Sequence, residues 1–515
     1  MVIVLTVVLT KVVIVLSKLA RRTALAASVV LAFAALAGAQ TATQALRLSV
    51  GFNTLKNSKP LESKASAEVD GLARDALAAA SSGKYDVAIK DYYHGIAILR
   101  GEAWTPSRAL ASALTFKLDH AMLEPSQTVT VETGEVFSPD DGLAGPVTAT
   151  ITLRNRQGEQ VAVLATIPGV KLDLKAHPLV SRIQVPDVPA NTYHVRVTFS
   201  PAQGDQASKD AEVRIEKGLR ADVTALRSRI NTAYSRLTSA NTPNLTAALH
   251  SVEYHLALYD LANSQQIDLG QIDFDGELKQ AANELTAVES GSDPYSSRRG
   301  DFRRAYLSAV DKSIQPYRIY VPASYDGSKP YPLIIALHGM GGDENSYFDL
   351  YGNGAFKTLA GQHGYIVACP KGRDTASMYR GDAEQDVMDV LADVERNYKT
   401  DRDRIYLTGH SMGGFGTWSV AMDYPDVFAA IAPISGGGNP ALLSRITRVP
   451  ELVVHGDADK TVPVQRSRAM VAAGKKLGIE IKYIEVPGGS HVGVPVPAFK
   501  DVFEFFDSHR RRTEN

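Results

Sequence analysis

An apolar run that ends in a glycine-flanked serine can be folded in few ways. Residues 405–414 form such a run: Ile405-Tyr406-Leu407-Thr408-Gly409-His410-Ser411-Met412-Gly413-Gly414. The first four residues read as a buried strand, and Phe415 to Met422 continue as a helix. G-x-S-x-G between a strand and a helix predicts a nucleophile elbow. Gly409 and Gly413 suit it because a Cβ at either place would collide with the neighbouring backbone in so tight a turn. Ser411 would then sit at a strained apex, its hydroxyl exposed and a helix N-terminus beneath it.

The elbow lies inside an α/β pattern that runs from about residue 296 to the end. Tyr317–Pro322 reads as an early strand, with an antiparallel partner around Ala305–Val310. Tyr331–Leu337 is a near-continuous apolar strand, as central parallel-sheet strands are, and Ala429–Ile434, Glu451–Val454 and Ile481–Val486 follow. Helical segments separate them and Pro497–His509 closes the chain as a helix, giving a mostly parallel sheet with helices on both faces.

Three further clusters fall at strand C-terminal ends, where such sheets carry their chemistry. After Leu337 comes His338-Gly339-Met340-Gly341-Gly342, a turn able to present the Met340 N–H, with that of Met412, to a developing oxyanion. His455-Gly456-Asp457-Ala458-Asp459 offers two competing acids. Asp459 is preferred, because Asp457 lies nearer the strand and is better placed to tie down the turn. Gly488-Gly489-Ser490-His491-Val492-Gly493 is a small-residue loop that lets an imidazole approach the serine. A serine hydroxyl is a weak nucleophile at neutral pH. It needs a base such as His491, which must in turn be oriented by a carboxylate. Gly339, Tyr347, His410 and Trp418 are candidate pocket residues, with His410 also able to shape the turn and Trp418 to fill the core. Asp343 and Glu344, beside the oxyanion turn, could contact a polar substrate or simply be solvated.

The order serine, acid, histidine is that of α/β-hydrolases. Residues 301–515 resemble the secreted carboxylesterases and peptidases related to prolyl oligopeptidase catalytic domains, and are similar to feruloyl esterases and polyhydroxybutyrate depolymerases. The resemblance rests on Gly409-His410-Ser411-Met412-Gly413-Gly414-Phe415-Gly416-Thr417-Trp418, on Tyr424-Pro425-Asp426-x-Phe428-Ala429-Ala430, and on His455-Gly456-x-x-Asp459-x-x-Val462-Pro463. It implies a serine carboxylic ester hydrolase with Ser411, His491 and Asp459 as catalytic residues, and it supports Asp459 over Asp457. Two other readings stand beside it: a peptidase of prolyl oligopeptidase-like type, and a non-catalytic surface-binding protein. From Ile434 to Glu451 there is too little chain for an inserted cap domain, so a shallow pocket is expected unless other parts of the chain overhang it.

Ahead of this region the chain, 515 residues in all, is long enough for further domains. Residues 1–39 read as a secretory signal. Lys18, Arg21 and Arg22 precede an uncharged run from Thr23 to Leu36, and Ala37-Gly38-Ala39 forms a small-x-small cleavage site. No cysteine follows to anchor a lipid. The additional run Val2–Leu16, broken by Lys11, fits a later translation start or an uncleaved anchor, though neither run reaches the ~20 apolar residues of a spanning helix. Residues 40–65 read as a flexible lead-in and 66–125 as a helical hairpin. Residues 126–218 alternate in polarity with turn residues between, which suggests an immunoglobulin-like β-sandwich. Residues 219–295 form a helical connector, with Leu226, Ile230, Tyr234 and Leu237, then Leu249, Val252, Leu256 and Tyr259, at helical spacing. The fold expected is therefore multi-domain, helical segments and a small β-sandwich preceding an α/β-hydrolase. A net charge of −1 argues against a nucleic-acid partner, and the single cysteine, Cys369, reads as a structural thiol in a strand. The expected partner is an ester, small or polymeric, with no cofactor, no metal, and a secreted or periplasmic location; oligomeric state is left open.

Overall fold

The computed structural model describes residues 41–511 apart from 57–61, 140–142, 144–146, 268 and 375; the signal read in residues 1–39 lies outside the described residues. The chain opens with helix α1 (41–56), followed by α2 (Ser63–Ser81), α3 (Tyr85–Arg100) and α4 (Pro106–Ala113). Composition suggested a loose lead-in over 40–65. Instead α1 is ordered by a distant contact: the buried Phe52 ring lies against Gly95 of α3, where any added side chain would strike it.

Strands begin earlier than the alternation from Ser126 suggested. Strands β1 (Leu114–Leu118) and β2 (Met122–Leu123) replace the end of the expected helical hairpin, ahead of β3 (Thr128–Glu135). Then come β4 (Val147–Arg154), β5 (Gln160–Val170), β6 (Leu179–Gln184), β7 (Asn191–Ser200) and β8 (Ala207–Ile215). They form two sheets, ordered β1-β3-β6 and β2-β8-β7-β4-β5. Phe116, Val129 and Ile183 of the first share one core with Ile151, Val197 and Val213 of the second. Alternate residues point inward along β1 and most of β7, as a two-sheet core requires.

Helices α5 (Leu219–Ser239), α6 (Pro243–Asn263) and α7 (Phe274–Glu289) come next. The residues picked out by helical spacing, from Leu226 to Tyr259, are buried, except that Tyr234 is only partly so. These helices are more than a connector. Leu226, Ile230, Val252 and Val288 belong to the same core as Phe302, Tyr317, Val387 and Val390 of the C-terminal region. A polar seam runs along the junction. His255 of α6 lies between Glu277 and Glu284 of α7, its Nε2 3.2 Å from Glu284. Glu284 also receives the Tyr295 hydroxyl and, at 3.1 Å, Arg298. Arg303 reaches both Glu277 (3.4 Å) and Glu344 (3.7 Å).

The C-terminal region comprises β9 (Gly300–Leu307), β10 (Ile314–Val321), β11 (Tyr331–Leu337), α8 (Ser346–Asp349), α9 (Ala355–His363), β12 (Ile366–Pro370), α10 (Asp382–Asn397), β13 (Thr400–His410), α11 (Met412–Asp423), β14 (Ala430–Ile434), β15 (Glu451–Gly456), α12 (Gln465–Lys476), β16 (Ile481–Val486) and α13 (Pro495–Asp507). Its eight strands are ordered β16-β15-β14-β13-β11-β12-β10-β9. Strand β10 pairs antiparallel with both neighbours, and the other pairings are parallel. Every residue of β11 is buried because both faces are covered. Leu333, Ile335 and Leu337 face the layer that includes α5–α7 and α10. Ile334 and Ala336 face Phe356 of α9 and Phe499, Val502 and Phe503 of α13. Cys369 lies buried in β12, and burial pushes its thiol well above the usual range.

Candidate active site

Strand β13 ends against the start of α11, and the turn between them holds Ser411 at φ 57°, ψ −116°. That is a left-handed conformation an L-residue adopts only under strain. The strain is held in place by close backbone packing. A Cβ on Gly409 would overlap the Gly413 backbone, and one on Gly413 would overlap the Leu337 carbonyl. The Ser411 N–H donates to the Ile434 carbonyl at 2.9 Å, fixing the elbow to the neighbouring strand.

The loop after β16 brings His491 over this serine, Nε2 standing 2.9 Å from Ser411 Oγ. On the other side of the ring, Nδ1 lies 2.6 Å from Asp459 Oδ2. The second carboxylate oxygen of Asp459 accepts from the N–H groups of Thr461 (2.8 Å) and Val462 (2.9 Å). Burial by itself would raise the Asp459 carboxyl. Hydrogen bonds from His455, His491 and Val462 outweigh it and hold the group well below the usual carboxylate range. Asp457 acts elsewhere, its Oδ1 accepting the Gly488 N–H at 2.7 Å and so anchoring the histidine loop.

Gly339 packs against the elbow, with the Ser411 Cβ and Tyr351 hydroxyl next to its open face. The turn is closed by the Gly342 N–H on the Gly339 carbonyl at 3.0 Å, with Met340 inside it. Met412 opens α11, so its N–H is one of the first-turn donors that have no intrahelical acceptor.

The aromatic pocket candidates lie elsewhere. Tyr347 is buried in a cluster with Tyr351, Phe356 and Phe499, on the α9–α13 side of the sheet. Trp418 is fully buried and donates its Nε1–H to Glu451 at 3.1 Å. Both are core residues, because α11 and the segment after β11 are enclosed by their neighbours and turn their large rings inward. Glu344 is buried too, rather than solvated. His410 is 4% exposed and touches the back of the site instead of lining a pocket. Two contributors lacked a clear sequence signal. Tyr351 packs behind the serine, and His455, fully buried, places Nε2 3.3 Å from Asp459 Oδ2. The H-G pair at the end of β15 was a hint for the second; nothing local marks the first. Residues 435–450 contain only a short 3-10 helix, Pro440–Ile446, so no cap covers the elbow from that side.

An eight-stranded, mostly parallel sheet with a strained serine at the strand–helix turn defines an α/β-hydrolase-like region. Residues 312–476 of it match the family model described as "Putative esterase". Among curated relatives, feruloyl esterase B of Talaromyces stipitatus is 36% identical over 135 residues, covering 24% of this chain and 36% of the relative. A bifunctional acetylxylan esterase/xylanase of Neocallimastix patriciarum is 30% identical over 151 residues, 29% of this chain and 22% of the relative. The chain thus spans well under half the length of these relatives. A probable feruloyl esterase C of Aspergillus flavus is 28% identical over 189 residues, 35% of this chain and 68% of the relative. The feruloyl esterase module of Clostridium thermocellum, a solved structure, aligns with a TM-score of 0.36 at 19% identity, over 42% of this chain and 90% of that one. Among the described residues no helix is long and apolar enough to cross a membrane.

Proposed function

We propose that the chain is a serine carboxylic ester hydrolase working through an acyl-enzyme. The observation that carries this reading is His491, which bridges Ser411 (2.9 Å) and Asp459 (2.6 Å) while Ser411 is held at φ 57°. His491 takes the Ser411 proton as the oxygen attacks the ester carbonyl. The tetrahedral oxyanion is received by the Met340 and Met412 N–H groups, and the imidazolium passes its proton to the leaving alkoxide. Water then repeats the sequence to release the acid. Asp459, kept ionised by its donors, fixes the tautomer with Nδ1–H towards itself and stabilises the imidazolium.

The substrate class in this reading is an acyl group on a polysaccharide or a small aryl ester, in keeping with the acetylxylan and feruloyl esterases among the relatives. The uncapped elbow fits a substrate whose alcohol part is large. The leader over 1–39 would direct the enzyme out of the cytoplasm, and the two-sheet module would be an immunoglobulin-like β-sandwich. A series of p-nitrophenyl esters from acetyl to octanoyl and methyl ferulate, run beside peptide anilides, tests the proposal with Ser411→Ala as control. Ester turnover lost in the alanine variant is expected. Peptide cleavage without ester turnover, or no turnover on either series, overturns it.

A further inference from the structure

Behind the serine and histidine stand two side chains that take no part in the proton transfer above, yet are hydrogen-bonded to its parts. His410 Nε2 lies 2.9 Å from the backbone carbonyl oxygen of His491. Its Nδ1 lies 3.0 Å from the Tyr351 hydroxyl. A carbonyl oxygen can only accept, so the His410 hydrogen is on Nε2; Nδ1 then has the lone pair, and the tyrosine donates to it. The Tyr351 hydroxyl also packs against Gly339 of the oxyanion turn, 3.3 Å from where a Cβ on that residue would stand. One chain of contacts therefore runs from that turn, through Tyr351 and His410, to the backbone of His491.

The loop needs such support. Residues 488–493 are glycine, serine, histidine and valine, and Val492 is 70% exposed, so little side-chain packing holds them. Gly489 donates to Val486 at 3.0 Å and Gly493 to Ser490 at 3.2 Å, both within the loop or its own strand. Gly488 donates to Asp457, which lies on the acid side. The His410 bond is of another kind, because it joins the loop to the strand that carries Ser411. It thereby fixes the separation across which the proton must move.

We propose that Tyr351 and His410 form a positioning dyad that holds the His491 loop at transfer distance from Ser411. The proposal rests on the reading of Ser411 and His491 as nucleophile and base. Two features suit the dyad to its place. The His410 and His491 rings are 4.8 Å apart, so a second positive charge would oppose the imidazolium that forms during turnover. Burial, reinforced by His491 itself, pushes His410 down to about 3, so it stays neutral wherever the enzyme would work. Burial also pushes the Tyr351 hydroxyl up to about 12, which keeps it a donor.

Three variants test this. His410→Gln preserves both bonds, an amide N–H for the carbonyl and an amide oxygen for the tyrosine. His410→Leu fills the volume with neither, and Tyr351→Phe removes one oxygen only. The readouts are kcat and KM on p-nitrophenyl acetate between pH 5 and 9, the rate of labelling by a fluorophosphonate, and amide hydrogen exchange over 487–494. A misplaced catalytic group costs on the order of 10–100-fold in rate. His410→Leu should lose about that much kcat with KM within roughly twofold, and exchange in the loop should quicken; His410→Gln should recover most of both, and Tyr351→Phe should fall between. Equal losses in the glutamine and leucine variants would make His410 a volume filler and overturn the dyad, as would unchanged kcat in Tyr351→Phe and His410→Leu. A wild type inert to the fluorophosphonate overturns the hydrolase reading itself, and is told apart because no variant is needed to see it. Should His410→Leu fail to fold, Tyr351→Phe with its loop exchange decides alone.

Discussion

Replacing the buried Glu451 with glutamine should make stability less dependent on pH. Glu451 is fully buried at the start of β15. One carboxyl oxygen accepts from Trp418 Nε1 at 3.1 Å, and the other has no partner. Burial pushes this carboxyl up to about 7 from 4.5, the Trp418 donor offsetting only part of the effect. In the unfolded chain the group ionises near 4.5, so the folded protein binds the extra proton between that value and about 7. The stability it contributes is whole below pH 4.5, falls as pH rises to about 7, and is gone above that. At about 1.4 kcal/mol per pH unit, the swing is on the order of 3 kcal/mol. Glu451→Gln removes the titration. Its own buried amide adds a constant cost of about 1–2 kcal/mol, which shifts the offset and leaves the slope untouched. The assay is denaturant unfolding of wild type and variant at pH 5, 6, 7 and 8, followed by Trp fluorescence. The stability difference, variant minus wild type, should grow by about 2–3 kcal/mol across that range, other titrations cancelling in the difference. A gap that does not change with pH would refute the reasoning.

Asp459→Asn should lower kcat by about 10³–10⁴-fold, since the histidine loses its tautomer, while Asp457→Ala should cost roughly tenfold through the lost Gly488 anchor; both are read as kcat on one chromogenic ester. A fragment of residues 296–515 should aggregate where 219–515 stays soluble, as measured by size-exclusion chromatography. The fragment would expose the face that Leu226, Ile230, Leu249, Val252, Leu256 and Val288 cover, and at about 2 kcal/mol each this burial rivals the whole stability of a domain. Glu284→Ala should destabilise by about 1–3 kcal/mol in thermal melts, because it leaves the buried Tyr295 hydroxyl without its acceptor and His255 with Glu277 alone. Gly456→Ala should cut kcat at least tenfold with the overall fold retained by circular dichroism.

What could be read from the sequence was whatever is written locally. Apolar runs such as Tyr331–Leu337 announce a strand buried on both faces, and the elbow glycines announce a close backbone turn. Distant packing leaves no such mark. Phe52 orders α1 through a glycine in another helix, so composition over 40–65 pointed to a loose segment. Leu114–Leu118 alternates in plain view, but it follows a helix without a break, so no local signal separates the two. Tyr347 and Trp418 stand close in sequence to the chemistry, yet sequence gives no side-chain direction, and both rings turn into the core. The choice between Asp457 and Asp459 was open to local reasoning because the first is one residue beyond its strand. Tyr351 was not, since its partner lies 59 residues away.

Three side chains spread over eighty positions meet within hydrogen-bonding distance, and side-chain reach alone does not explain it. The loops that carry them must themselves come closer than ordinary residues allow. A Cβ on Gly456 would overlap the Gly489 carbonyl, so the end of β15 and the loop after β16 touch backbone to backbone. Asp459 follows the first glycine by three residues and His491 follows the second by two, and their 2.6 Å contact is a consequence of that approach. The same device operates between Gly409 and Gly413 on the serine side. Adding one methyl at Gly456 leaves every polar group in place and changes only the spacing between two backbones. If kcat in that variant were unaltered, the acid–histidine contact would owe its length to side-chain adjustment, and the glycine pair would be incidental.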